Sequence, residues 1–169
     1  MKPLRLYFYR MITFFLPEMS CNRLKASILR WCGAEIGTGC RICSSAMISG
    51  SGKLSIGNET YIGPKVTIRA AENSIVRIGN YCDIAVNCCL WGATHSVEIF
   101  STGKRAAGPG IGMNITIEDG VWLCAGVIVN AGVTVGYKTV IAAGGVVTRD
   151  IGAQVLAGGV PCKIIKDKE

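Results

Sequence analysis

The sequence is poor in aromatic rings, in acidic residues and in histidine. Phe, Tyr and Trp make up 7% of the 169 residues, and 11 acidic residues are outnumbered by 18 Lys and Arg, for a net charge of +7. One histidine cannot build a metal site of three imidazoles, and the Cys-x-x-Cys pair of Cys40 and Cys43 has no second pair at zinc spacing. We therefore expect no metal, and a narrow core with little room for rings.

The positive charge does not form one continuous cluster in the sequence. Basic residues concentrate near its two ends, between Arg5 and Arg30 and again from Lys163 onwards, and no basic stripe interleaved with aromatic rings appears. Recognition of nucleic acid usually needs such a stripe, so we expect no nucleic-acid partner. The basic ends would suit a phosphate-bearing ligand or an anionic membrane surface.

A long apolar run is also missing from the N-terminal segment. MKPLRLYFYRMITFFLPEMS (1–20) superficially resembles a signal peptide, but Arg10 interrupts it, Pro17 ends it, and no convincing small-x-small cleavage site follows. The apolar stretch is too short to span a bilayer. We expect helices over 4–16 and 20–31, within a cap domain over 1–32. Covering the open end of the fold is its favoured role, and a peripheral contact of residues 1–31 with a membrane is the alternative.

The nine cysteines do not indicate a disulfide scaffold. Their number is odd, and Cys40, Cys82 and Cys88 occupy places where a small inward-facing residue is expected. A free thiol fills such a place as a small hydrophobe. Together with the missing secretory signal, this predicts a reducing, cytoplasmic location, with the inner face of the membrane as the place of any peripheral contact.

The dominant positive feature is an aliphatic residue that recurs every six positions. In the second half it falls at Ile117, Leu123, Val129, Val135, Ile141 and Val147. A helix would show a period of 3.6 and a half-buried strand a period of two, so neither explains the spacing. A short fixed period with turn residues in register is typical of a β-solenoid.

The repeat extends towards the N-terminus in groups of three that begin at Ile36, Ile56 and Ile78. Three hexads of six residues make one triangular coil with a hexad on each side. This predicts an all-β domain over 33–152 of about five parallel coils, followed by a tail over 153–169. The extra residues all come after a third hexad, so they should stack at one corner. The longest is an excursion loop over 96–116, a length that usually signals function.

The motifs ITIEDGVWLCAGVIVNAGVTVGYKTVIAAGGVVTRDIGAQVLAGGVPCKIIK (115–166) and ILRWCGAEIGTGCRI (28–42) resemble the hexapeptide-repeat acyltransferases. The similarity is to their O-acetyltransferase branch, which includes galactoside, maltose and streptogramin acetyltransferases, and for 28–42 to the subgroup that acetylates surface polysaccharides. The resemblance implies a left-handed parallel β-helix, a homotrimer, and acetyl-CoA as co-substrate.

The resemblance also implies that His95 is catalytic. It ends the third coil, just before the excursion, and LWGATHSVE (90–98) matches the family's junction. An alcohol must lose a proton when it attacks a thioester, and imidazole is suited to accept that proton at neutral pH. A covalent intermediate on Cys88, Cys89 or Cys124 is unnecessary when both substrates are bound together.

Further residues follow from the same resemblance. Trp122 matches a family tryptophan near the acyl group of the donor, although Cys124 stands where the family usually has Gly. The alternative is that Trp122 only packs a corner of the coil. Small residues leave the backbone accessible to the pantetheine arm of coenzyme A, and basic residues would bind its phosphates. The alternative for the lysines is that they are ordinary solvent-exposed surface residues. The predicted donor set is Trp122, Ala125, Gly126, Ala143, Gly144, Thr148, Arg149, Lys163 and Lys166.

The acceptor site departs from the family pattern. Lys65 stands where better-known sugar acetyltransferases carry an Asn that helps to hold the acceptor, which makes an anionic acceptor conceivable. We assign Lys65, Glu72 and Asn73 to the acceptor pocket.

The favoured function is acetyl-CoA-dependent O-acetylation of a sugar hydroxyl in surface polysaccharide synthesis. N-acetylation of an amino sugar and a non-catalytic scaffold are the alternatives. A zinc carbonic anhydrase of the same fold is excluded, because its metal site needs three histidine ligands and the sequence has one histidine.

Overall fold

The computed structural model describes residues 1–100, 103 and 105–167. The expected excursion over 96–116 and tail over 153–169 therefore each include residues outside the described part. Strands of two to four residues wind into about five parallel coils and form the three faces of a prism, and two helices precede the first coil. This confirms the predicted β-helix, which is of the left-handed class.

We name the faces A, B and C in the order in which the chain passes through them. Face A contains β1 (Glu35–Ile36), β4 (Lys53–Ile56), β7 (Ile75–Ile78), β12 (Ile115–Ile117) and β15 (Thr134–Val135). Face B contains β2 (Arg41–Ile42), β5 (Tyr61–Ile62), β8 (Asp83–Ile84), β13 (Trp122–Leu123), β16 (Val140–Ile141), β18 (Leu156–Gly158) and the antiparallel β19 (Lys163–Lys166). Face C contains β3 (Met47–Ser49), β6 (Thr67–Arg69), β9 (Cys89–Trp91), β14 (Ile128–Val129) and β17 (Val146–Val147).

The six-residue repeat sets the register. On face A, Ile36 pairs with Ile56 and Ile56 with Ile78, so the repeated aliphatics stack along the axis and fill the core. Cys82 and Cys88 are buried between them, as small inward residues. All nine cysteines are free thiols.

Polar side chains form a ladder along the corner between faces A and B. Asn58 Oδ1 accepts a hydrogen bond from the Thr38 amide, Asn80 Oδ1 from the Asn58 amide, and Asp119 Oδ1 from the Asn80 amide, each at 2.8 Å. These bonds lower the pKa of Asp119, because Asn80 stabilises the carboxylate through both its side chain and its amide. The ladder connects four successive coils.

Two N-terminal helices pack against the open end of the first coil. They are α1 (Pro3–Phe14) and α2 (Asn22–Trp31), close to the predicted 4–16 and 20–31. Leu6, Tyr9 and Leu29 are buried in the same core as the hexad aliphatics. The assignment of 1–32 as a separate domain stays a prediction.

Side chains of α2 also bind backbone groups of the first coil. Asn22 Oδ1 accepts from the Ile42 amide at 3.0 Å, and Arg30 donates to the carbonyls of Ile36 and Gly37, both at 2.9 Å. An edge of unpaired backbone groups is thereby covered. Within the described ranges 1–100, 103 and 105–167, no helix has the length and apolar character needed to cross a membrane.

Where sequence analysis expected an irregular excursion, the structure has a hairpin. β10 (Ala93–Val97) pairs antiparallel with β11 (Ala107–Gly112), and it begins before the expected boundary at 96. β12 already starts at Ile115, so the end of the expected excursion belongs to the fourth coil. The hairpin projects from the corner between faces C and A, where shorter insertions of the first two coils also lie. The predicted stacking of insertions at one corner is therefore confirmed.

Candidate active site

An open cleft lies at the C–A corner, between the hairpin and the second coil. Its volume is about 410 Å³, and it is lined by Arg69, Ala71, Glu72, Trp91, Ala93, Thr94, His95 and Gly110–Gly112. Strands β6 and β9 supply one wall and the hairpin supplies the other. The cleft therefore places the single histidine beside a cation, a carboxylate and an indole ring.

His95 is held in one tautomer by the hairpin. Its Nδ1 lies 2.9 Å from the carbonyl oxygen of Gly108 on the opposite strand. A carbonyl can only accept a hydrogen bond, so Nδ1 must carry the hydrogen. In the neutral ring, Nε2 then carries the lone pair that can accept a proton. The imidazole is exposed to solvent, so a substrate can reach it.

The hairpin packs tightly against the second coil at Gly112. A Cβ on Gly112 would lie only 2.1 Å from the carbonyl oxygen of Glu72, a contact that no side chain tolerates. Gly112 pairs with Ala93, two residues before His95. The absence of a side chain at Gly112 therefore sets how closely the hairpin that carries His95 approaches the second coil.

The three residues predicted for the acceptor pocket separate in the structure. Glu72 lines the cleft, and Asn73 follows it at the same corner, with φ of 59°. Lys65 lies at the B–C corner, with φ of 55°, and its amide donates to Ser45 Oγ at 2.9 Å. Face C separates this corner from His95, so one protomer does not bring Lys65 into the cleft.

Small residues form an open strip along the B–C corner. Ala125, Ala143 and Gly144 are exposed, and the Gly144 amide donates to the Ala125 carbonyl at 2.9 Å. A Cβ on Gly126 would meet nothing closer than 4.0 Å, and one on Gly144 nothing within 4 Å. Both glycines have φ near 70°. An extended amide-bearing arm such as pantetheine fits this accessible backbone.

The remaining predicted donor residues lie elsewhere on the surface. Trp122 projects from face B with 49% of its surface exposed. Lys163 and Lys166 are exposed on β19, at the C-terminal end of the same face. Thr148 and Arg149 follow β17 at the C–A corner and are exposed. The chain therefore spreads the predicted donor residues over two corners and one face.

Sequence analysis named only Glu72 and His95 among the lining residues, and it missed the two with the largest functional side chains, Arg69 and Trp91. Arg69 pairs with Trp91 in the parallel ladder of face C, so the two side chains stand next to each other on its outer surface. Trp91 is 41% exposed. Outward positions of a hexad accept almost any residue, and only their place beside the C–A corner could have singled them out.

Two of the three cysteines considered as nucleophiles, Cys88 and Cys124, are poor ones. Burial raises the pKa of the Cys88 thiol to about 11, and burial also raises the pKa of Cys124, which the nearby carboxylate of Asp83 raises further. Thiolates are therefore scarce at neutral pH for these two residues. In the described part of the chain, no cluster of His, Cys, Asp and Glu is arranged to hold a metal ion.

Comparison with known proteins identifies relatives with the same repeat. The galactoside O-acetyltransferase of Escherichia coli K12 is 32% identical over 145 residues, which are 85% of this chain and 68% of the relative. A provisionally assigned colanic acid biosynthesis acetyltransferase, WcaF, from the same organism is 27% identical over 146 residues, covering 86% and 76% of the two chains. No protein-family model matches the chain.

Solved structures agree on the fold. An N-acyltransferase from Bacillus cereus, in complex with dTDP and 3-hydroxybutyryl-CoA, superposes with a TM-score of 0.70 at 19% identity, over 80% of this chain and 73% of that one. With the similarity to the galactoside enzyme, it follows that the chain belongs to the hexapeptide-repeat acyltransferases, in their O-acetyltransferase branch.

Proposed function

We propose that the protein transfers an acetyl group from acetyl-CoA to a hydroxyl group of a sugar, with His95 as the general base. The observation that carries this proposal is the bond between His95 Nδ1 and the Gly108 carbonyl, which leaves Nε2 as the proton acceptor at an open cleft. The similarity to a galactoside O-acetyltransferase supports the choice of a sugar hydroxyl.

His95 acts in both halves of a direct transfer. Nε2 takes the proton of the acceptor hydroxyl while that oxygen forms a bond to the thioester carbonyl carbon. When the carbon–sulfur bond breaks, the imidazolium returns the proton to the sulfur, so the products are an ester and a free thiol. The Gly108 carbonyl stabilises the imidazolium, because it continues to accept the Nδ1 hydrogen bond. No covalent enzyme intermediate is needed, consistent with the raised pKa of Cys88.

The walls of the cleft suit a sugar acceptor. The indole of Trp91 can cover the apolar face of a pyranose ring, and Glu72 can accept hydrogen bonds from its hydroxyls. Arg69 adds a positive charge beside them, which favours a sugar that carries a carboxylate or a phosphate. In this proposal Arg69 takes the role that sequence analysis gave to Lys65.

Acetyl-CoA would bind between protomers of a homotrimer. The open strip of Ala125, Gly126, Ala143 and Gly144 and the exposed Trp122 are separated from the protomer's own His95, so a neighbouring subunit must supply one of the two halves. A closed threefold assembly would satisfy this for all three sites. Sedimentation equilibrium should give a trimer at micromolar concentration, and a stable active monomer would contradict the shared site.

Lys163 and Lys166 would bind the phosphates of the donor. Replacing both with Ala should raise the KM for acetyl-CoA with little change in kcat, because a contact made equally in the ground and transition states affects binding alone. The effect should be smaller with dephospho-CoA thioester if the 3′-phosphate is the partner. Lys53→Ala, an exposed lysine at the other end of the prism, is the matched control. A large loss of kcat with unchanged KM would refute the assignment.

The proposed setting is the synthesis of a surface polysaccharide in the cytoplasm. Residues 28–42 resemble the acetyltransferases of surface polysaccharides, and the similarity to WcaF supports the same class of acceptor. The nine free thiols suit a reducing compartment. Thiol release from acetyl-CoA should be measured with neutral sugars, acidic sugars, sugar nucleotides and amino sugars. Acetylation of hydroxyl-only acceptors, with acidic ones preferred, is expected. Turnover confined to amino sugars would show an N-acetyltransferase, and no turnover with any acceptor would contradict the proposal.

A further inference from the structure

Helix α1 has a second apolar face that the fold does not use. Leu6, Tyr9 and Thr13 are buried against α2 and the first coil, and they account for all the fully buried residues of this helix. The other large apolar residues point outwards, with Leu4 71%, Phe14 81% and Phe15 81% exposed. This outer face comprises Leu4, Tyr7, Phe8, Met11, Ile12, Phe14 and Phe15.

The geometry of the helix makes the outer face continuous. Successive side chains are about 100° apart around an α-helix, so residues spaced by three, four and seven share one side. Leu4, Phe8 and Met11 follow this spacing, and Phe15 extends it by another turn. The stripe lies opposite Leu6 and Thr13. Monomeric proteins rarely expose so many large apolar side chains together, and such patches commonly mark an interaction surface.

Positive charge borders the outer face on both sides. By the same helical spacing, Arg5 and Arg10 stand at the two boundaries between the outer face and the buried face. The Arg5 guanidinium lies 4.5 Å from the centre of the Trp31 ring and donates to the Trp31 carbonyl at 2.7 Å, so its position is fixed. The sequence has no acidic residue before Glu18. The outer face is therefore apolar at its centre and cationic at its rim.

We propose that the outer face of α1 inserts into the surface of a bilayer that contains anionic lipids. The apolar side chains would enter the acyl region, while Arg10 would reach a phosphate group along its flexible stem and Arg5 would meet the phosphates from its fixed position beside Trp31. Trp31, which is 51% exposed, and Tyr7 would lie at the headgroup level, where amphipathic rings concentrate. A second copy of the chain fits less well, because pairing of two outer faces gathers four arginines and α1 itself carries no acidic residue to pair with them.

Membrane binding and capping are compatible, because they use opposite faces of the same helix. The N-terminal ammonium of Met1 donates to the Gly52 carbonyl at 2.7 Å, so the start of α1 is fixed to the C–A corner of the first coil. His95 lies at the same corner two coils later, a separation of about 10 Å along the axis since neighbouring strands are about 4.8 Å apart. The acceptor cleft therefore stays close to the lipid surface.

Vesicle sedimentation of the full chain tests the proposal. The probes are phosphatidylcholine vesicles with and without phosphatidylglycerol. Binding is expected to the anionic vesicles and to weaken with added salt. The triple variant Leu4→Ser, Phe8→Ser, Phe15→Ser should lower the partition coefficient at least about tenfold. Tyr81→Ser, which changes an equally exposed ring on the prism, is the matched control and should bind like wild type.

A charge variant tests the proposal independently, in case the triple variant does not fold. Arg10→Glu should weaken binding to anionic vesicles only, whereas Lys138→Glu, an exposed position just before β16 at the far end of the prism from α1, should not affect it. Thermal melts and sedimentation velocity without lipid accompany each variant. Wild-type protein that stays in the supernatant with both vesicle types would overturn the proposal. Unchanged vesicle binding by the triple variant would also overturn it. If the triple variant in addition failed to form an oligomer that the wild-type chain forms, the outer face would be a contact between copies of the chain.

Discussion

Replacing Gly112 with alanine should separate the hairpin from the body of the protein. The new Cβ would lie 2.1 Å from the Glu72 carbonyl oxygen and 3.3 Å from its carbonyl carbon, and both are backbone atoms that cannot rotate away. To restore ordinary contact, the two segments must move apart by more than about 1 Å. Since His95 is carried by the paired strand, the base moves away from the acceptor, and a misplacement of that size costs about 10²-fold in rate.

The matched control is Gly110→Ala in the same strand. Its Cβ would meet only His95 Cε1, at 3.9 Å, which is an ordinary contact. Thiol release at saturating acetyl-CoA should show kcat reduced about 10²-fold in Gly112→Ala and within a few-fold of wild type in Gly110→Ala. The KM for acetyl-CoA should be similar in both, because none of the predicted donor residues lies on the hairpin strands β10 and β11. Wild-type kcat in a folded Gly112→Ala variant would refute the positioning role.

Two further predictions concern stability. Leu29→Ala should lower the free energy of unfolding by about 2–5 kcal/mol in denaturant titrations, since it removes a fully buried side chain of the cap. The control Leu24→Ala, at an exposed position of the same helix, should change it by less than about 0.5 kcal/mol. Equal effects of the two substitutions would mean that the cap does not share the core. Above pH 9.0 the protein should lose stability as pH rises, because buried thiols with raised pKa stay protonated in the folded state but ionise in the unfolded state, which then binds fewer protons. Cys88→Ala should flatten this dependence by up to about 1.4 kcal/mol per pH unit between pH 9.0 and about 11, and an unaltered slope in this variant would count against the raised pKa.

The sequence predicts the coils well because a solenoid has one rule that repeats. An aliphatic residue every six positions can only point inward on successive faces, so the stacking of Ile36, Ile56 and Ile78 follows from counting. The same counting places Cys82 in the core, where it is found.

The hairpin shows where this reasoning ends. Residues 93–112 contain no hexad, and their strands are held by pairing between β10 and β11, which no periodicity reveals. The bond from His95 to Gly108 depends on that pairing. A resemblance could nominate His95, but the partner that fixes its tautomer required the fold.

Residues at the outer surface were the hardest to assign. Arg69 and Trp91 occupy outward positions whose composition the repeat leaves free, and Lys65 was assigned to the acceptor by alignment although it lies across face C from the cleft. The donor site that we propose is shared between subunits, so one chain would not assemble it, and in the single chain Trp122 stands apart from His95.

The central claim is that His95 is the base in a direct acetyl transfer. The most direct measurement is the kcat of His95→Ala with the preferred acceptor, together with its thermal melt. His95 is exposed and makes its one described side-chain hydrogen bond to the hairpin, so the fold should be retained. The account predicts an unchanged melt and a loss of about 10² to 10⁴ in rate. Wild-type turnover by the folded variant would contradict it.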